Sequence, residues 1–259
     1  MQPSSQVSTD LVKGRLRVET PKALSVLIPT LDTRLDCLSV LLAELKRQIG
    51  DRADIEVLSI LDMKTTWLGD KRNQLLDLAK GEYLVFLNDD DMIVPNWVDR
   101  VMYHVESNRG CDVLSIQAEC FQRATPQSEW EHCWYMATSL EFNTHWMVEY
   151  PDGKGSSEKI MFHPPAMWCI WKSEIAKSAR FSSRTYGEDH DFMFDVVKRC
   201  SSQAVVKEVL YRYYADDRTS EAGPWRTEYT GCGWGGSHKT DDVLDIINYD
   251  QRVVRVTPC

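Results

Sequence analysis

The chain has 259 residues and a net charge of −9, from 30 Lys and Arg against 39 Asp and Glu. This length suffices for one α/β domain with a sizeable core, and the acidic balance gives no general footprint for nucleic acid or an anionic membrane. The amino terminus lacks the apolar core of a signal peptide and no uncharged apolar run reaches membrane-spanning length, so we expect a cytoplasmic protein without a membrane span.

Strand and helix patterns alternate along the first half of the chain. The predicted strands are Leu24–Ile28 (ended by Pro29), Ile55–Leu61, Tyr83–Leu87 and Val113–Ala118, and the predicted helices between them are Leu35–Gln48, Asp70–Ala79 and Trp97–Glu106. This alternation indicates βαβ units on a parallel sheet. Residues 120–165 give no clear assignment, whereas Ala204–Tyr214 is typical of a strand and Val243–Ile247 of a helix. None of the eight cysteines belongs to a CxxC pair, so we expect most to be reduced.

Three adjacent carboxylates, Asp89 to Asp91, follow the apolar strand Tyr83–Leu87. Like charges this close oppose ionisation unless a cation or positive donors compensate them. Carboxylate oxygens suit Mg²⁺ or Mn²⁺, and ligands of open α/β sheets collect at the carboxyl ends of buried strands. The run therefore favours a divalent metal site, with a solvated loop that caps the helix after Pro95 as the alternative.

Two other polar segments carry candidate chemistry. In GDKRN (residues 69–73), Lys71 and Arg72 are candidates for binding a diphosphate, or else form a solvated helix face. In GEDHD (residues 187–191), a carboxylate is placed to act as a general base, or else the segment is an acidic helix start favoured by the helix dipole.

Four segments, taken in order, resemble the motifs of family 2 glycosyltransferases with the GT-A fold: SVLIPTLDTR (25–34), GDKRN (69–73), LNDDD (87–91) and YGEDHDF (186–192). The GDKRN form is common in bacterial and phage-borne members, and a phage-borne member would act in the host cytoplasm. The resemblance implies a single α/β domain of the GT-A (Rossmann-like) type, with a mostly parallel central sheet flanked by helices. It divides the chain into an amino-terminal extension (1–22), a nucleotide-sugar-binding half (23–119), an acceptor-binding half with the catalytic base (120–230), and a glycine-rich loop with a carboxy-terminal segment (231–259).

The resemblance also implies roles for residues on the donor side. The expected nucleotide-sugar-binding residues are Pro29, Thr30, Arg34, Asp62, Lys71, Arg72 and Asp90. Asp62 is expected to read the base, which favours UDP or TDP over CDP because a carboxylate accepts from an imide N–H and is repelled by the lone pair of cytosine. Asn88 stands at the first acidic position of the motif, which shifts the expected Mn²⁺ or Mg²⁺ ligands to Asp89 and Asp91. No His follows YRYYADD, and Asp216 or His238 is expected to complete the metal site.

On the acceptor side, Asp189 is the expected catalytic base, with Glu188 as its competitor and Asp191 as a helix-start residue. His190 is expected to face solvent beside the base. His163 and Trp168 are acceptor-site candidates, although core packing is the commoner reason for a cluster of aromatics. The glycine-rich segment 231–236, with Trp234 and His238, is expected to be a lid over the bound donor.

The predicted function is metal-dependent, inverting transfer of a sugar from a nucleoside diphosphate donor, with a UDP-sugar favoured. The acceptor is a hydroxyl of a glycan, a small molecule or a modified DNA base. Two alternatives stay open: a DNA glycosyltransferase that acts on a hydroxymethylated pyrimidine, and a non-catalytic nucleotide-sugar-binding module. The first needs a basic track, for which the candidates are Arg123, Lys154, Lys159, Lys172, Lys177, Arg180 and Arg184. A nucleotidyltransferase is disfavoured because PTLDTR contains no glycine-rich phosphate loop.

Overall fold

A computed structural model describes residues 9–12, 15–18, 20–123, 128–151 and 157–215. Several sequence predictions fall outside these residues, namely Lys154, Asp216, the glycine-rich segment 231–236, His238 and the helix 243–247. At the amino terminus, β1 (Thr9–Val12) and β2 (Arg15–Val18) pair with each other as antiparallel strands. Within the described ranges, no helix is long and apolar enough to cross a membrane.

A single sheet with helices against it forms the rest of the described chain. Its first half comprises β3 (Leu24–Leu31), α1 (Leu35–Ile49), β4 (Ile55–Asp62), α2 (Leu68–Leu78), β5 (Tyr83–Phe86), β6 (Met92–Ile93), α3 (Trp97–Ser107) and β7 (Val113–Gln122). Its second half comprises β8 (Glu131–Thr138), β9 (Trp146–Pro151), β10 (Ser157–His163), β11 (Ile170–Lys172), α4 (Ser173–Ser178), α5 (Glu188–Val196) and β12 (Gln203–Ala215). The predicted strands and helices of residues 24–118 and the strand near residues 204–214 are therefore confirmed, with shifted ends.

The sheet has the strand order β4-β3-β5-β11-β7-β8-β10-β9, and β12 pairs with β7 and β6. β4, β3 and β5 are mutually parallel, and β12 is parallel to β7. Antiparallel strands enter at β11, which joins β5 to β7, and at the β7–β8 pair. The parallel part places the carboxyl ends of β3, β4 and β5 at one edge.

Helix α1 shows how the sequence sets these layers. Leu38, Leu41 and Leu45 recur at helical spacing and are all buried, since they form the face that packs on the sheet. The helix ends at Gly50, whose φ of 55° lies in the left-handed region that glycine adopts at low cost. β5 is buried along its whole length, as expected for a central strand covered on both faces.

One predicted strand end is wrong. Pro29 was expected to stop the first strand, but β3 continues through it to Leu31 and remains paired with β4 up to Asp62. On its other side β3 pairs with β5 only as far as Leu27 and Phe86. At Pro29, β3 has a paired strand only on the β4 side. The N–H that proline lacks therefore costs no hydrogen bond on the β5 side, where no strand is paired.

The region without a sequence assignment, 120–165, forms the end of β7 and the strands β8, β9 and β10. A second, smaller apolar cluster lies here and contains Ala137, Phe142, Trp146, Ile160 and Phe162. The free thiols among the described residues are Cys37, Cys120, Cys133, Cys169 and Cys200, while Cys111 is disulfide-bonded.

Candidate active site

The predicted donor residues meet at the sheet edge where β3, β4 and β5 end. Leu31 at the end of β3 pairs with Asp62 at the end of β4, and Leu87 donates its N–H to Leu27 just before the acidic run begins. Helix α2 starts beside this edge, since Lys71 in its first turn contacts Thr30 and Asp62. In the same turn, the N–H of Gly69 donates to the carbonyl oxygen of Arg184 at 3.1 Å. A side chain at Gly69 would meet the Ser182 carbonyl oxygen at 1.9 Å, so only glycine lets the 182–184 segment approach α2.

Asp62 and Lys71 form a largely buried ion pair at this edge. Lys71 Nζ lies 3.0 Å from Asp62 Oδ1 and 3.1 Å from the carbonyl oxygen of Thr30, and the lysine is 3% exposed. The N–H groups of Lys64 and Thr66 also donate to the Asp62 carboxylate, at 3.3 and 2.8 Å. Burial opposes ionisation, but Lys71 and these N–H groups outweigh it and hold the pKa of Asp62 below its usual value. Asp62 is therefore a fixed, charged hydrogen-bond acceptor.

A cavity of about 210 Å³ opens beside this pair. Its walls include Leu31, Thr66, Trp67, Lys71 and Thr185. Trp67 is 57% exposed, which is unusual for so large an apolar side chain and leaves its ring available to a ligand. Sequence analysis missed Trp67, although its position two residues before GDKRN marks it as a residue at the start of a helix.

The three acidic side chains of the loop after β5 have different surroundings. Asp89 is buried and accepts hydrogen bonds from Thr30 Oγ1 at 2.5 Å and from Arg34 Nη1 at 3.0 Å. Asp90 keeps 14% of its side chain exposed and lies 3.6 Å from the same Arg34 nitrogen. Thr30 and Arg34 thus bind the acidic loop itself in this structure.

Asp91 points into the protein. Its Oδ2 accepts hydrogen bonds from Asn88 Nδ2 at 2.9 Å and from the hydroxyl of Tyr211, and its Oδ1 accepts the N–H of Tyr214 at 2.8 Å. Burial, followed by the charge of Asp90, raises its pKa to about 8, against the opposing effect of these three donors. Asp91 therefore ties the acidic loop to β12.

This geometry decides how the site fits a divalent cation. Among the residues that the structure describes, no three His, Cys, Asp or Glu side chains are grouped as a metal site. Asp89 and Asp91, the predicted ligands, both use their two carboxylate oxygens in bonds to protein groups. Asp90 is the most exposed carboxylate of the run, and a single carboxylate fits a cation held mainly by substrate phosphates.

Arg72 joins the acidic loop to the start of α5. Its Nη1 donates to Glu188 Oε1 at 2.7 Å and its Nη2 donates to Asn88 Oδ1 at 3.0 Å. Arg72 and Glu188 are 2% and 3% exposed. Burial raises the pKa of Glu188 to about 7, with Arg72 acting in the opposite direction. In this arrangement, Arg72 is engaged inside the protein and Glu188 is turned away from solvent.

Asp189 follows Glu188 on the same helix but faces outward. Its Oδ1 accepts the N–H of His190 at 2.9 Å, and its side chain is partly exposed. Asp191 bonds Ser182 Oγ at 2.6 Å and pairs with Arg184, which fixes the turn that precedes α5. His190 is exposed beside Asp189, as its sequence position predicted.

The two predicted acceptor residues lie inside the protein. His163 is 5% and Trp168 6% exposed, and their rings meet edge-on at 5.6 Å. Trp168 also stacks on Tyr211 at 5.6 Å, and the hydroxyl of Tyr211 bonds Asp91. His163 and Trp168 therefore pack behind the acidic loop through Tyr211, and their role in acceptor binding stays a prediction.

Comparisons with known proteins agree with this architecture. The model of a family described as "Glycosyl transferase family 2" matches residues 59–161, a stretch that holds Asp62, GDKRN and the acidic loop but ends before Glu188. The uncharacterized glycosyltransferase MJ1057 of Methanocaldococcus jannaschii is 21% identical over 175 residues, which cover 64% of this chain and 53% of that protein.

Among solved structures, the S. aureus TarS fragment 1–349, alone and in complex with UDP, matches with a TM-score of 0.53 and 16% identity. The match covers 75% of this chain and 61% of that chain, and the complex of the fragment with UDP-GlcNAc gives a TM-score of 0.50. This chain thus spans about half the length of the curated relative and less than two thirds of the TarS fragment. The likeness establishes the fold: an α/β domain of the GT-A type, with a mostly parallel central sheet flanked by helices.

Proposed function

We propose that the protein is a family 2 glycosyltransferase that moves a sugar from a nucleoside diphosphate donor to a hydroxyl acceptor. The observation that carries this proposal is the arrangement of three groups: the Asp62–Lys71 pair, the acidic loop and the start of α5. Arg72 connects the last two through Asn88 and Glu188. The family match over residues 59–161 and the TarS complexes with UDP and UDP-GlcNAc support the same class of activity.

The donor base belongs in the cavity beside Asp62. A uracil imide N–H donates to the Asp62 carboxylate, whose Oδ2 accepts only the N–H of Thr66 among the described residues and so retains acceptor capacity. The exposed ring of Trp67 supplies a stacking face for the base. Lys71 is held by Asp62 and Thr30, so its role is to orient the base-reading carboxylate. These features favour a UDP-sugar.

The diphosphate lies between Arg34 and the acidic loop in this proposal. Arg34 is 17% exposed, which is more than Lys71 or Arg72, and is therefore the cation best placed to reach phosphate oxygens. Asp90 would hold the Mg²⁺ or Mn²⁺, which stabilises the negative charge of the leaving diphosphate when it is bound. Asp89 and Asp91 keep the loop in place around it.

Asp189 is the proposed base and takes the proton of the acceptor hydroxyl. It is partly exposed, whereas Glu188 is buried against Arg72, and a base must reach the proton that it removes. A single base opposite the leaving group implies inversion at the anomeric carbon.

The test compares binding with turnover. We expect UDP-sugars to raise the melting temperature in a Mn²⁺-dependent manner, because a ligand of the native state stabilises it. Asp189→Asn should keep this binding and lower donor hydrolysis or transfer by about 10²-fold or more, since the amide cannot accept the proton. Glu188→Gln is the matched control, and a larger loss in that variant would assign the base to Glu188. Nucleotide-sugar binding with no turnover in the wild type would instead indicate a binding module.

A further inference from the structure

A partly exposed group of rings lies beside Asp189. His145, His190 and Phe194, which we call the ring platform, come from the turn before β9 and from α5. The rings of His145 and His190 are 5.1 Å apart and 23° from parallel, and Phe194 meets them edge-on at 5.8 and 6.5 Å. Phe194 is 36% exposed and His190 is exposed, so the platform presents ring surface next to the proposed base.

The ring platform rests on a buried stack. The ring of His163 lies 5.4 Å from that of His145, and His163 in turn contacts Trp168, which stacks on Tyr211. His163 Nδ1 lies 2.7 Å from the carbonyl oxygen of Pro164, which fixes the orientation of the ring. The platform therefore has rigid support, as a site that positions a substrate requires.

Two imidazoles of this region, those of His145 and His163, are uncharged at neutral pH. Burial, and next the neighbouring His190, lowers the pKa of His145 to about 4, although Asp189 opposes the shift. Burial also lowers the pKa of His163 to about 3. The buried side of the platform is thus neutral, and the Asp189 carboxylate beside it, with Arg184 already paired to Asp191, disfavours an anionic ligand.

Among the described residues, the basic side chains that a DNA acceptor would need do not form one track, although Arg184 lies near the start of α5. Lys172 and Lys177 lie at the opposite edge of the sheet, where Lys172 pairs in register with Tyr83 at the start of β5 and Lys177 bonds the carbonyl of Ala79. Arg180 pairs with Asp77 and Arg184 with Asp191, while Lys159 lies opposite Glu149 in the β9–β10 pair. Arg123 covers the ring of Trp130 at 4.4 Å.

We propose that the ring platform binds an uncharged sugar ring of the acceptor, with its C–H face on the platform and one hydroxyl against Asp189. This assignment rests on the proposed function. In the reaction, the hydroxyl oxygen bonds the anomeric carbon as the bond from that carbon to the diphosphate oxygen breaks. The diphosphate leaves with the electron pair, and the hydroxyl proton passes to Asp189.

The test uses methyl glycosides of glucose, galactose, mannose and N-acetylglucosamine as probes. With six histidines in the chain, the imidazole Hε1 proton signals are few enough to assign by single substitutions. We expect one of the glycosides to shift the signals of His145 and His190. His190→Ala and Phe194→Ala should each lower the affinity for that glycoside by at least about fivefold and leave the affinity for UDP unchanged. His132→Ala, an exposed histidine on β8, is the matched control.

Three results would overturn the assignment: no glycoside shifts these signals, the platform variants bind as tightly as the wild type, or the signals respond to a hydroxymethylcytosine oligonucleotide but to no glycoside. Failure of the proposed function is seen separately by calorimetry. Glycoside binding by a protein that binds no nucleotide would refute the transferase and leave the ring platform as a sugar site.

Discussion

The Asp62→Asn substitution tests the reading of the donor base most directly. In the proposed donor complex, Asp62 of the wild type offers an oxygen to the uracil imide N–H, and hydrogen bonds to charged groups contribute about 1.5–3 kcal/mol. Since about 1.4 kcal/mol is a factor of ten, UDP should bind about 10- to 150-fold more weakly to the variant. The amide N–H₂ of the new side chain can donate to the ring nitrogen of cytosine, so the affinity for CDP should rise at the same time. The ratio of UDP to CDP affinity should therefore collapse.

The same substitution also affects the fold, because Lys71 loses the charge that compensates its ammonium group. Lys71 Nζ keeps the Thr30 carbonyl oxygen at 3.1 Å, but removing one partner of a buried pair costs about 3–5 kcal/mol. At about 2–4 °C per kcal/mol for a domain of this size, we expect the melting temperature to fall by about 6–20 °C. Affinities must accordingly be measured well below the lowered transition.

Calorimetry of UDP and CDP on wild type, Asp62→Asn and Asp51→Asn provides the measurement. Asp51 is exposed in the turn after α1 and controls for the loss of one negative charge. Equal affinity of the wild type for UDP and CDP, or an unchanged ratio in Asp62→Asn, would show that this carboxylate does not read the base.

Three further predictions concern other parts of the molecule. Asp90→Asn should abolish the Mn²⁺-dependent part of UDP binding and leave the melting temperature unchanged. Asp91→Asn should lower the melting temperature, because three donors point at the oxygens of Asp91. The opposite pattern would make Asp91 the metal ligand. Trp67→Ala should weaken UDP binding by about 5- to 150-fold, because base stacking contributes about 1–3 kcal/mol, and should leave the affinity for ribose 5-phosphate unchanged. Equal losses of affinity for both ligands would contradict stacking. Glu208, bonded to Arg100 and His104, has its pKa lowered to about 2 despite partial burial. Relative to Glu208→Gln, the wild type should therefore lose about 3 kcal/mol of stability as pH falls from about 4.5 to 2, and a constant difference in urea unfolding would disprove this linkage.

Local sequence pattern was sufficient to predict the strands and helices of residues 24–118 and insufficient for residues 120–165. The strands β3, β4, β5 and β7 are apolar runs bounded by helical segments, so their sequence alone identifies them. β8 is exposed at its start and buried at its end, because it crosses from solvent into the sheet between β7 and β10. A strand with that gradient shows neither strict alternation nor a continuous apolar run, which is why residues 120–165 gave no assignment.

The direction in which each carboxylate of the acidic loop points was also beyond the sequence. Asp89, Asp90 and Asp91 are chemically identical neighbours, and the partner that turns Asp91 inward, Tyr211, lies 120 positions further along the chain. The ion pair of Arg72 with Glu188 spans 116 positions. Residue type and spacing indicated a candidate site, but contacts between distant segments decide which side chain faces solvent.

Asn88 is the residue through which these distant contacts meet. Its amide oxygen accepts from Arg72 and its amide N–H₂ donates to Asp91, so one side chain satisfies both a cation and a buried carboxylate. An aspartate in its place would serve Arg72 equally well but would remove the N–H₂ donor from Asp91, and its negative charge about 3 Å away would add to the burial and the Asp90 charge that already raise the pKa of Asp91. The amide at this position is thus a consequence of Asp91 pointing inward. Asn88 therefore accompanies an Asp91 that is bonded inside the protein, while Asp90 keeps the exposure that its proposed metal-binding role requires.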